Sequence, residues 1–439
     1  MRIRLESIGC RLNEAELQHW ARQFRALGHE PCHNDSAAER TADAPIDLVV
    51  VNTCAVTQEA VRKSRQLLRR MQRYNPYARL IVSGCATALD RTEVDLSGID
   101  LLVSNADKDR LVEIAQQELA LPIMPATAET EAAALFARGR QRAFVKIQDG
   151  CRYQCTFCVT TLARGPERSR PLTEIVTEVQ TAAASGIKEA VLTGVQIAGY
   201  GAGHGDGLEE LIQAVLNDTE IPRLRLGSVE PWGLGERFWR LFENPRLAPH
   251  LHLPLQSGSD RILRRMARRC TTAAYRELVT QARAAIRDFN LTTDIIIGFP
   301  GETEADWQQT LTLVAEIGFS HLHSFSYSRR PGTQAATLPE QVPATVKRAR
   351  MQQLQPLAER LKTEALRTYL GRTMPVLFEG TSSTAGDQEA LGYTLNYLPV
   401  RRAPQERRRP EDSTWVNQIH ALKLTGISAD GKALLGSRE

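Results

Sequence analysis

The sequence predicts an α/β protein in three parts: an N-terminal α/β domain with a parallel sheet, a central open, partial (β/α) barrel, and a small C-terminal β-barrel. Over roughly the first 120 residues, short apolar strands alternate with amphipathic helices. Further strand and helix units repeat up to about Leu366, as is typical of a partial barrel. After Gly371, short strands are divided by polar or glycine-containing turns, which predicts a small barrel of about 70 residues.

At 439 residues the chain is too long for one small core, because domains typically contain about 100–200 residues. We expect an N-terminal domain at 1–120, a linker at 121–137, a central domain at 138–367 and a C-terminal domain at 370–439. The linker is placed where the composition becomes rich in alanine and includes two prolines.

In the N-terminal domain, apolar runs predict strands at residues 2–8, 48–53, 80–83 and 101–103. After the first strand, large apolar residues recur at helical spacing: Leu17, Trp20, Phe24 and Leu27. This spacing predicts a helix that buries one face, with Asn13 expected to cap its N-terminus and Gly28 to end it.

The central and C-terminal domains are predicted from the same kind of pattern. Six barrel strands are expected at 144–148, 190–193, 224–229, 251–253, 293–297 and 321–327. The C-terminal strands are expected in TMPVLFEG, LGYTLNYLPV, the region around 415–424 and ALLGS.

Bulk properties narrow the class of protein. The net charge of +4 excludes a polycation, although the sequence pI near 8.6 suits an anionic partner. No apolar run approaches the roughly 18 residues of a membrane helix, and the N-terminus MRIRLESIGC has a charged strand pattern instead of a signal-peptide core. The eight cysteines do not resemble a small disulfide scaffold. We therefore expect a cytoplasmic protein with reduced thiols and no membrane partner.

A compact cysteine triplet, Cys151, Cys155 and Cys158 in GCRYQCTFC, offers three thiolates to one iron-sulfur cluster. A cubane of four irons normally takes four cysteines, so three would leave one iron open to a reacting ligand. The alternative is a structural zinc site, which closes its tetrahedron with four ligands. No histidine lies between His33 and His204 to complete one, so the spacing favours a cluster.

A second triplet, Cys10, Cys54 and Cys85, follows three successive predicted strands. Because the carboxyl ends of parallel strands gather at one edge of a sheet, these cysteines are expected to converge. One such cysteine alone would be read as a small buried hydrophobe, but three in equivalent positions favour a second cluster site. Cys32 and Cys270 match neither triplet and are expected to be structural or incidental.

The C-x-x-x-C-x-x-C spacing resembles the signature of the radical S-adenosylmethionine enzymes. The segments FVKIQDGCRYQCTFCVTTLARGPERSR and HLHLPLQSGSD are similar to the methylthiotransferase branch of that superfamily. Within it, LTGVQIAGYG, GSVEP and YSRRPGT most resemble the MtaB-type transfer RNA methylthiotransferases, and IGCRLNEAE, NTCAVT and SGCAT resemble the three auxiliary-cluster motifs. The resemblance covers nearly the whole chain.

The resemblance implies a radical S-adenosylmethionine core, an N-terminal domain with an auxiliary cluster, and a C-terminal RNA-binding barrel of the TRAM type. It implies two [4Fe-4S] clusters held by the two triplets, together with S-adenosylmethionine. The implied activity adds a methylthio group to carbon 2 of N6-threonylcarbamoyladenosine beside the anticodon. Its expected partners are the anticodon stem-loop of transfer RNA and a low-potential electron donor of the flavodoxin or ferredoxin type. We expect a monomer.

Several loops match positions where relatives bind the cofactor, and no catalytic residue is assigned beyond the cluster ligands. The candidates for cofactor contact are Thr193, Gly194, Gln196, Glu230, Gln256, Ser257, Gly258 and Gly298. The alternative for each glycine and serine is ordinary turn chemistry, because these residues are frequent after strands.

Arginines are candidates for RNA contact. In RRAPQERRRP, they flank a turn of the predicted C-terminal barrel: Arg401, Arg402, Arg407, Arg408 and Arg409. Others recur every three to four residues on one expected helix, from Arg261 to Arg269, where the alternative is a solvated helix face. Tyr393 and Tyr397 are candidates for stacking on bases or for ordinary packing.

Two kinds of alternative remain. The first is another methylthiotransferase, acting on isopentenyladenosine in transfer RNA or on an aspartate of a ribosomal protein. The second, of a different class, is an RNA-binding protein whose clusters serve structure or redox sensing without catalysis. The second alternative predicts RNA binding without cleavage of S-adenosylmethionine.

Overall fold

The computed structural model describes residues 1–32, 45–89, 98–123, 142–202, 205–384, 387–402 and 415–438. Most of the linker expected at 121–137 lies outside these residues, as do Arg407, Arg408 and Arg409.

The N-terminal part is a five-stranded sheet in which all strands run parallel, in the order β2-β1-β3-β4-β5. Its strands are β1 (Arg2–Ser7), β2 (Glu30–Cys32), β3 (Leu48–Thr53), β4 (Arg79–Gly84) and β5 (Leu101–Val103). Its helices are α1 (Arg11–Ala26), α2 (Gln58–Tyr74), α3 (Cys85–Leu89) and α4 (Leu111–Glu118). Side chains alternate along the strands, so Leu48 and Val50 pack towards α1 and α4, whereas Val49 and Val51 pack towards α2.

Two details of this sheet differ from the sequence prediction. Asn13 does not cap α1: the helix begins at Arg11, and the Asn13 side chain donates to the backbone oxygens of Ile8 (2.8 Å) and Thr53 (3.2 Å). It therefore ties the start of the helix to two strand ends. Strand β2 was not predicted, because it is only three residues long and contains Pro31, which sheets tolerate at an edge.

The central part contains the six predicted barrel strands. They are β6 (Arg142–Lys146), β9 (Glu189–Thr193), β10 (Arg223–Leu226), β11 (His250–His252), β12 (Asn290–Ile297) and β13 (His321–Ser326). They form two parallel three-stranded sheets, β10-β9-β6 and β11-β12-β13, which a bridge between Ser228 and His252 connects. The described residues show no pairing between β6 and β13, so the barrel is open.

Helices cover the outside of this barrel and bury a continuous apolar core against it. They are α6 (Leu172–Ala184), α7 (Leu208–Asp218), α8 (Glu236–Arg240), α10 (Thr272–Ala285), α11 (Glu304–Ile317) and α12 (Ala344–Arg367). Two short helices, α5 (Thr160–Arg164) and α9 (Asp260–Arg265), pack elsewhere: Ala163 of α5 lies in an apolar cluster of the N-terminal sheet, and Ile262 of α9 packs with Phe299. A short antiparallel pair, β7 (Gln148–Asp149) and β8 (Arg168–Ser169), flanks the first cysteine loop. The crossovers place the loops after the strands on one side of the barrel.

The C-terminal part is a closed five-stranded barrel in the order β14-β15-β16-β18-β17. Its strands are β14 (Thr373–Thr384), β15 (Asp387–Thr394), β16 (Pro399–Arg402), β17 (Ile419–Ile427) and β18 (Leu434–Ser437). Buried apolar side chains fill its interior, among them Val376, Phe378, Val400, Leu422 and Leu434. The predicted fold class is confirmed in all three parts, whereas the domain boundaries stay predictions.

Arginines of the central barrel hold the C-terminal barrel against it. Arg223 donates to the backbone oxygens of Pro375 (2.9 Å) and Tyr393 (3.1 Å), and Arg225 donates to that of Leu395 (3.0 Å). Arg225 also forms a fully buried ion pair with Glu189 at 2.8 Å. Hydrogen bonds to charged groups that are buried in this way restrain the two barrels relative to each other.

Among the described residues, no helix combines the length and apolar character that crossing a membrane requires.

Candidate functional site

The first cysteine triplet lies on the loop between β7 and α5. Gly150, directly before Cys151, has a φ of +68°, and a Cβ there would overlap the carbonyl oxygen of Pro166. Only glycine suits both conditions. Thr156 anchors the middle of the loop, because its hydroxyl donates to the backbone oxygen of Arg265 at 2.8 Å and its backbone N–H donates to that of Met266 at 3.1 Å. The three thiols are free and partly exposed.

A buried positive charge lies beside this loop. Arg268 Nη1 is 3.9 Å from Cys155 Sγ, and its guanidinium pairs with both oxygens of Glu230, at 3.2 and 2.6 Å. The Arg268 guanidinium also lies over the ring of Trp232, 4.7 Å from the ring centroid. Burial raises the pKa of Cys151 to about 11, with smaller contributions from the neighbouring thiols and Glu230. Metal binding at this triplet must therefore release protons.

Arg268 is not part of a helix face that could contact RNA phosphates, although the arginine spacing from Arg261 to Arg269 had suggested this. Helix α9 ends at Arg265, and Ala267 has a φ of +55°, so the helical spacing from Arg261 does not extend to Arg268. Its side chain is only 3% exposed. Sequence reasoning missed its place beside the cysteines, because a repeated arginine spacing was taken as one continuous helix. Arg261 is also engaged, in an ion pair with Asp306.

The second triplet lies at the carboxyl ends of β1, β3 and β4, as the positions of its cysteines after predicted strands indicated. Cys10 precedes α1, Cys54 directly follows β3, and Cys85 is the first residue of α3. Gly84 has a φ of +118°, and a Cβ there would overlap the backbone of the neighbouring strand β3. This glycine lets β4 end tightly against β3, so that Cys54 and Cys85 emerge side by side.

Cys10 and Cys85 lie close enough to Cys54 to influence its thiol. Burial raises the pKa of Cys54 to about 11, with smaller contributions from Cys10 and Cys85. Asn105 Nδ2 lies 3.9 Å from Cys85 Sγ, and Asn13 Oδ1 lies 3.8 Å from Cys10 Sγ. The sulfurs of Cys10 and Cys85 thus each have an asparagine side chain nearby at the sheet edge.

Across the described residues, no three His, Cys, Asp or Glu side chains converge closely enough to ligate a single metal ion. A four-iron cubane requires a different arrangement of ligands, because each of its cysteines binds a different iron atom. Their sulfurs consequently stand farther apart than the four ligands of one zinc ion, so a cluster-binding triplet need not satisfy the single-ion geometry.

A buried ionic network joins the two cysteine sets. Arg164, from the helix that follows Cys158, donates to Glu16 Oε1 (2.8 Å), Asp149 Oδ1 (3.0 Å) and Asn13 Oδ1 (2.9 Å). Lys108 binds the other oxygen of Glu16 at 2.8 Å. The network therefore links α1, which starts beside Cys10, to the strand and helix that flank the first triplet.

Two of the predicted cofactor residues border a cavity: Thr193, the last residue of strand β9, and Gly194, which follows it. Gln148 braces this loop, because its Oε1 accepts from the backbone N–H groups of Val195 (3.0 Å) and Gln196 (2.9 Å). Its Nε2 donates to the backbone oxygen of Gly150 at 2.7 Å, so one side chain connects the loop to the first triplet. The buried Oε1 of Gln196 has no hydrogen-bond partner within the described structure.

The other predicted cofactor residues already have protein partners. Ser257 and Gly258 pack on α11, where the Thr310 hydroxyl accepts from the Gly258 N–H at 3.0 Å. The N–H of Gly298 donates to Glu302 at 2.7 Å, and the side chain of Glu230 pairs with Arg268. Gln256 has a φ of +77° and joins β12 through its backbone. Their contact with a cofactor stays a prediction.

The cavity bordered by Thr193 and Gly194 has a volume of about 720 Å³. Cys10 of the second triplet lies on its wall, and so do four histidines of strands β11 and β13 and residues of the C-terminal barrel. Among the latter are Tyr393, Tyr397 and Arg401. All three parts of the protein therefore meet around one space, which is of the size usual for ligand sites.

The two tyrosines serve the junction between the barrels. Their rings stack at 4.9 Å with an angle of 17°. The hydroxyl of Tyr397 accepts from Arg11 (3.1 Å) and Arg142 (3.3 Å), and the Arg225 guanidinium lies 4.4 Å from the centroid of its ring. Tyr397 thereby connects the residue after Cys10 to both barrels. Of the predicted RNA-contacting arginines, Arg401 borders the cavity, and the Arg402 guanidinium lies 5.1 Å from the ring centroid of Trp415.

Two family models match the chain. The radical SAM superfamily matches residues 145–314, and the uncharacterized protein family UPF0004 matches residues 2–103. The first match contains the triplet from Cys151 to Cys158 and the loops after the barrel strands. The second contains all three cysteines of the second triplet.

Among solved structures, the chain is similar in fold to the radical S-adenosylmethionine methyltransferase TsrM from Kitasatospora setae, which was solved with cobalamin and a [4Fe-4S] cluster bound. The TM-score is 0.58 at 16% identity, covering 76% of this chain and 77% of that one. At this identity the likeness concerns the fold alone.

Relatives are similar at higher identity. The threonylcarbamoyladenosine tRNA methylthiotransferase MtaB of Thermotoga maritima is 33% identical over 383 residues, covering 86% of each chain. The tRNA-2-methylthio-N(6)-dimethylallyladenosine synthase of Chloroflexus aurantiacus is 35% identical over 436 residues, covering 96% of this chain and 88% of that protein. Likeness of this extent, together with the two cysteine triplets and the open barrel, shows that the chain belongs to the radical S-adenosylmethionine methylthiotransferase family.

Proposed function

We propose that the protein adds a methylthio group to carbon 2 of N6-threonylcarbamoyladenosine beside the anticodon of transfer RNA. One observation carries the proposal: a single cavity is bordered by Cys10 of the second triplet, by the Thr193 loop of the barrel, and by the C-terminal barrel. A reaction that brings sulfur, a radical source and an RNA base together requires such a meeting point.

Two [4Fe-4S] clusters and S-adenosylmethionine fit the residues present. We infer that Cys151, Cys155 and Cys158 hold one cluster and that the N-terminal triplet holds the other. The unpartnered Oε1 of Gln196 is an acceptor that suits the amino group of S-adenosylmethionine. When bound, these groups supply a radical that removes hydrogen from the base, a methyl group and the sulfur to be transferred.

The chain's own residues orient these groups and shield them. Arg268 and Glu230 place a fixed ion pair beside Cys155, with the arginine nearly withdrawn from water. The Tyr153 and Trp232 rings, 5.5 Å apart and nearly perpendicular, cover the same side of the loop. Together they give the first cluster a partly apolar environment, which tunes its potential and limits the access of water.

The choice of substrate rests on the cavity and on the relatives. Relatives named for threonylcarbamoyladenosine and for dimethylallyladenosine both match at 30% identity or more. Besides its histidines, the cavity wall has four basic side chains. Among the described lining residues these face a single carboxylate, that of Asp294. An anionic N6 substituent suits such a wall better than an apolar isoprenoid group does.

Further parts of the proposal concern partners. The C-terminal barrel, with Arg401 and Arg402 on strand β16, is inferred to bind the anticodon stem-loop. Arg407, Arg408 and Arg409 are proposed to extend this surface. We further propose that the electron donor is of the flavodoxin or ferredoxin type and that the protein is a monomer in the cytoplasm. The proposed domain boundaries lie near residues 120, 138 and 370.

Reconstitution tests the proposal. Protein whose clusters are rebuilt without oxygen is incubated with S-adenosylmethionine, a strong reductant and a stem-loop carrying threonylcarbamoyladenosine. We expect 5′-deoxyadenosine and the 2-methylthio nucleoside to form together. In parallel incubations with an isopentenyladenosine stem-loop or with the ribosomal protein, methylthio transfer to one of these instead would select another methylthiotransferase. RNA binding without any cofactor cleavage would select the non-catalytic alternative.

A further inference from the structure

Three basic side chains lie where the central barrel meets the C-terminal barrel. Lys362 belongs to helix α12, Arg401 to strand β16, and Lys432 to the turn before strand β18. All three border the 720 Å³ cavity that also contains Cys10 on its wall. We call these three residues the basic wall.

One carboxylate organises the basic wall. Asp430 Oδ2 accepts from Arg401 Nη2 at 2.9 Å, while its Oδ1 accepts from the Ser428 hydroxyl (2.6 Å) and the Lys432 N–H (3.1 Å). Its hydrogen bonds lower the pKa of Asp430 to about 2, the Ser428 hydroxyl contributing most, so the group is ionised near neutral pH. One negative charge thus faces three positive charges.

Lys362 carries the surplus charge. No described carboxylate lies within 4.0 Å of its ammonium group. Burial lowers its pKa, and Lys432 and Arg401 add to this effect while Asp430 opposes it. On the barrel side lies His321, whose pKa burial, His323 and Lys362 lower to about 4, and the ring of His323 packs edge-on against it at 4.6 Å. A half-buried ammonium among other cations favours an anionic ligand.

We propose that the basic wall, with Lys362 as its main contact, binds the carboxylate of the threonylcarbamoyl group on the substrate adenosine. The inference rests on the proposed function and extends it to the specificity of the site. The apolar neighbours Leu366, Leu398 and Ala433 on the same wall suit the uncharged parts of the modified base. An isopentenyl group brings no anion and would leave Lys362 without a counter-charge, so the wall also selects against that substrate.

A phosphate of the same RNA is the other anion that this chemistry could bind. Lys432 is exposed, as a phosphate contact requires, whereas Lys362 is half-buried beside the cavity. A phosphate contact strengthens the binding of every stem-loop alike and contributes to the salt dependence of binding. A carboxylate contact strengthens only the binding of the substrate that carries the carboxylate.

The test compares stem-loops in binding to cluster-loaded protein, measured by fluorescence anisotropy. The stem-loops carry threonylcarbamoyladenosine, its uncharged threonine-amide analogue, or isopentenyladenosine. Wild-type protein is expected to bind the acid at least about tenfold more tightly than the amide, as expected for a hydrogen bond to a charged group. Lys362→Met should bring this ratio close to one without weakening the binding of the amide. Lys362→Arg should retain most of it.

Arg360→Met is the matched control, because it removes one positive charge from the same helix at a side chain that pairs with Glu364 and does not border the cavity. It should leave the acid-to-amide ratio unchanged. Equal weakening of all three stem-loops by Lys362→Met, with a smaller salt dependence, would assign Lys362 to a phosphate and overturn the inference. So would wild-type protein that does not distinguish acid from amide.

The outcomes separate this inference from the proposed function. Wild-type protein that modifies threonylcarbamoyladenosine but ignores its carboxylate contradicts only the inference. Wild-type protein that modifies isopentenyladenosine and leaves threonylcarbamoyladenosine unchanged contradicts the proposed function as well.

Discussion

Removing the guanidinium of Arg164 should destabilise the junction between the N-terminal sheet and the central barrel. Its side chain is 2% exposed and binds Glu16 and Asp149 at 2.8 and 3.0 Å. Burial alone would raise the pKa of Glu16, but Arg164 and Lys108 hold it well below its usual value. Arg164→Met would therefore leave two buried carboxylates short of a counter-charge.

The expected magnitude follows from the partners that remain. Breaking a buried ion pair by removing one partner costs about 3–5 kcal/mol. Glu16 keeps Lys108 at 2.8 Å, and Asp149 keeps Lys146 at 3.6 Å, so we expect the lower end, about 3 kcal/mol. Urea unfolding of the cluster-free protein, monitored by tryptophan fluorescence, measures this loss. Trp20 contributes to the signal at this junction, because it is buried and donates to the backbone oxygen of Lys108.

Two further variants make the test specific. Arg110→Met removes an arginine from an exposed pair with Glu113 and should leave the unfolding curve unchanged. Arg164→Met combined with Asp149→Asn should recover part of the lost stability, because the second change removes a buried charge while Lys146, the other cation near Asp149, keeps its ion pair with Asp109. A loss below about 1 kcal/mol for Arg164→Met, or no recovery in the double variant, would refute the reasoning.

Three other substitutions have definite expected results. Gly150→Ala should lower the iron content more than Gly186→Ala does, because both glycines have positive φ but only the first lacks room for a Cβ; equal losses would contradict this. Cys54→Ala should abolish methylthio transfer while 5′-deoxyadenosine still forms, and surviving transfer would exclude Cys54 as a ligand. Burial would raise the pKa of Glu189, but Arg225 lowers it to about 2. The ionised Glu189 therefore stabilises the folded protein above about pH 4.5, and this contribution is lost as the pH falls towards 2. Glu189→Gln should flatten the pH dependence of stability in that window, and an unchanged slope would contradict the assignment.

Much of the fold could be predicted because its signals are local. The alternation of strands and helices located the six barrel strands, and positions after strands placed Cys10, Cys54 and Cys85 at one sheet edge. Strand β2 escaped because three residues with a proline carry little signal. Asn13 was misplaced because its partners, the backbone oxygens of Ile8 and Thr53, become neighbours only when the sheet forms.

The rest of the site depends on contacts between distant positions. Arg164 binds Glu16 across 148 residues, and Arg268 reaches Glu230 from beyond the end of a helix. A single sequence shows which residues can ionise, but not which of them will pair. The basic wall is such a case: Lys362 and Arg401 lie on a helix and a strand of different parts, and only the packing of the two barrels brings them to one cavity.

The most direct test of the central claim is a nucleoside mass analysis of transfer RNA from cells that lack this protein and from the same cells with the gene restored. We predict that the 2-methylthio form of threonylcarbamoyladenosine disappears in the first and returns in the second, while threonylcarbamoyladenosine itself persists in both. Persistence of the methylthio form without the protein, where no redundant enzyme is present, would contradict the claim.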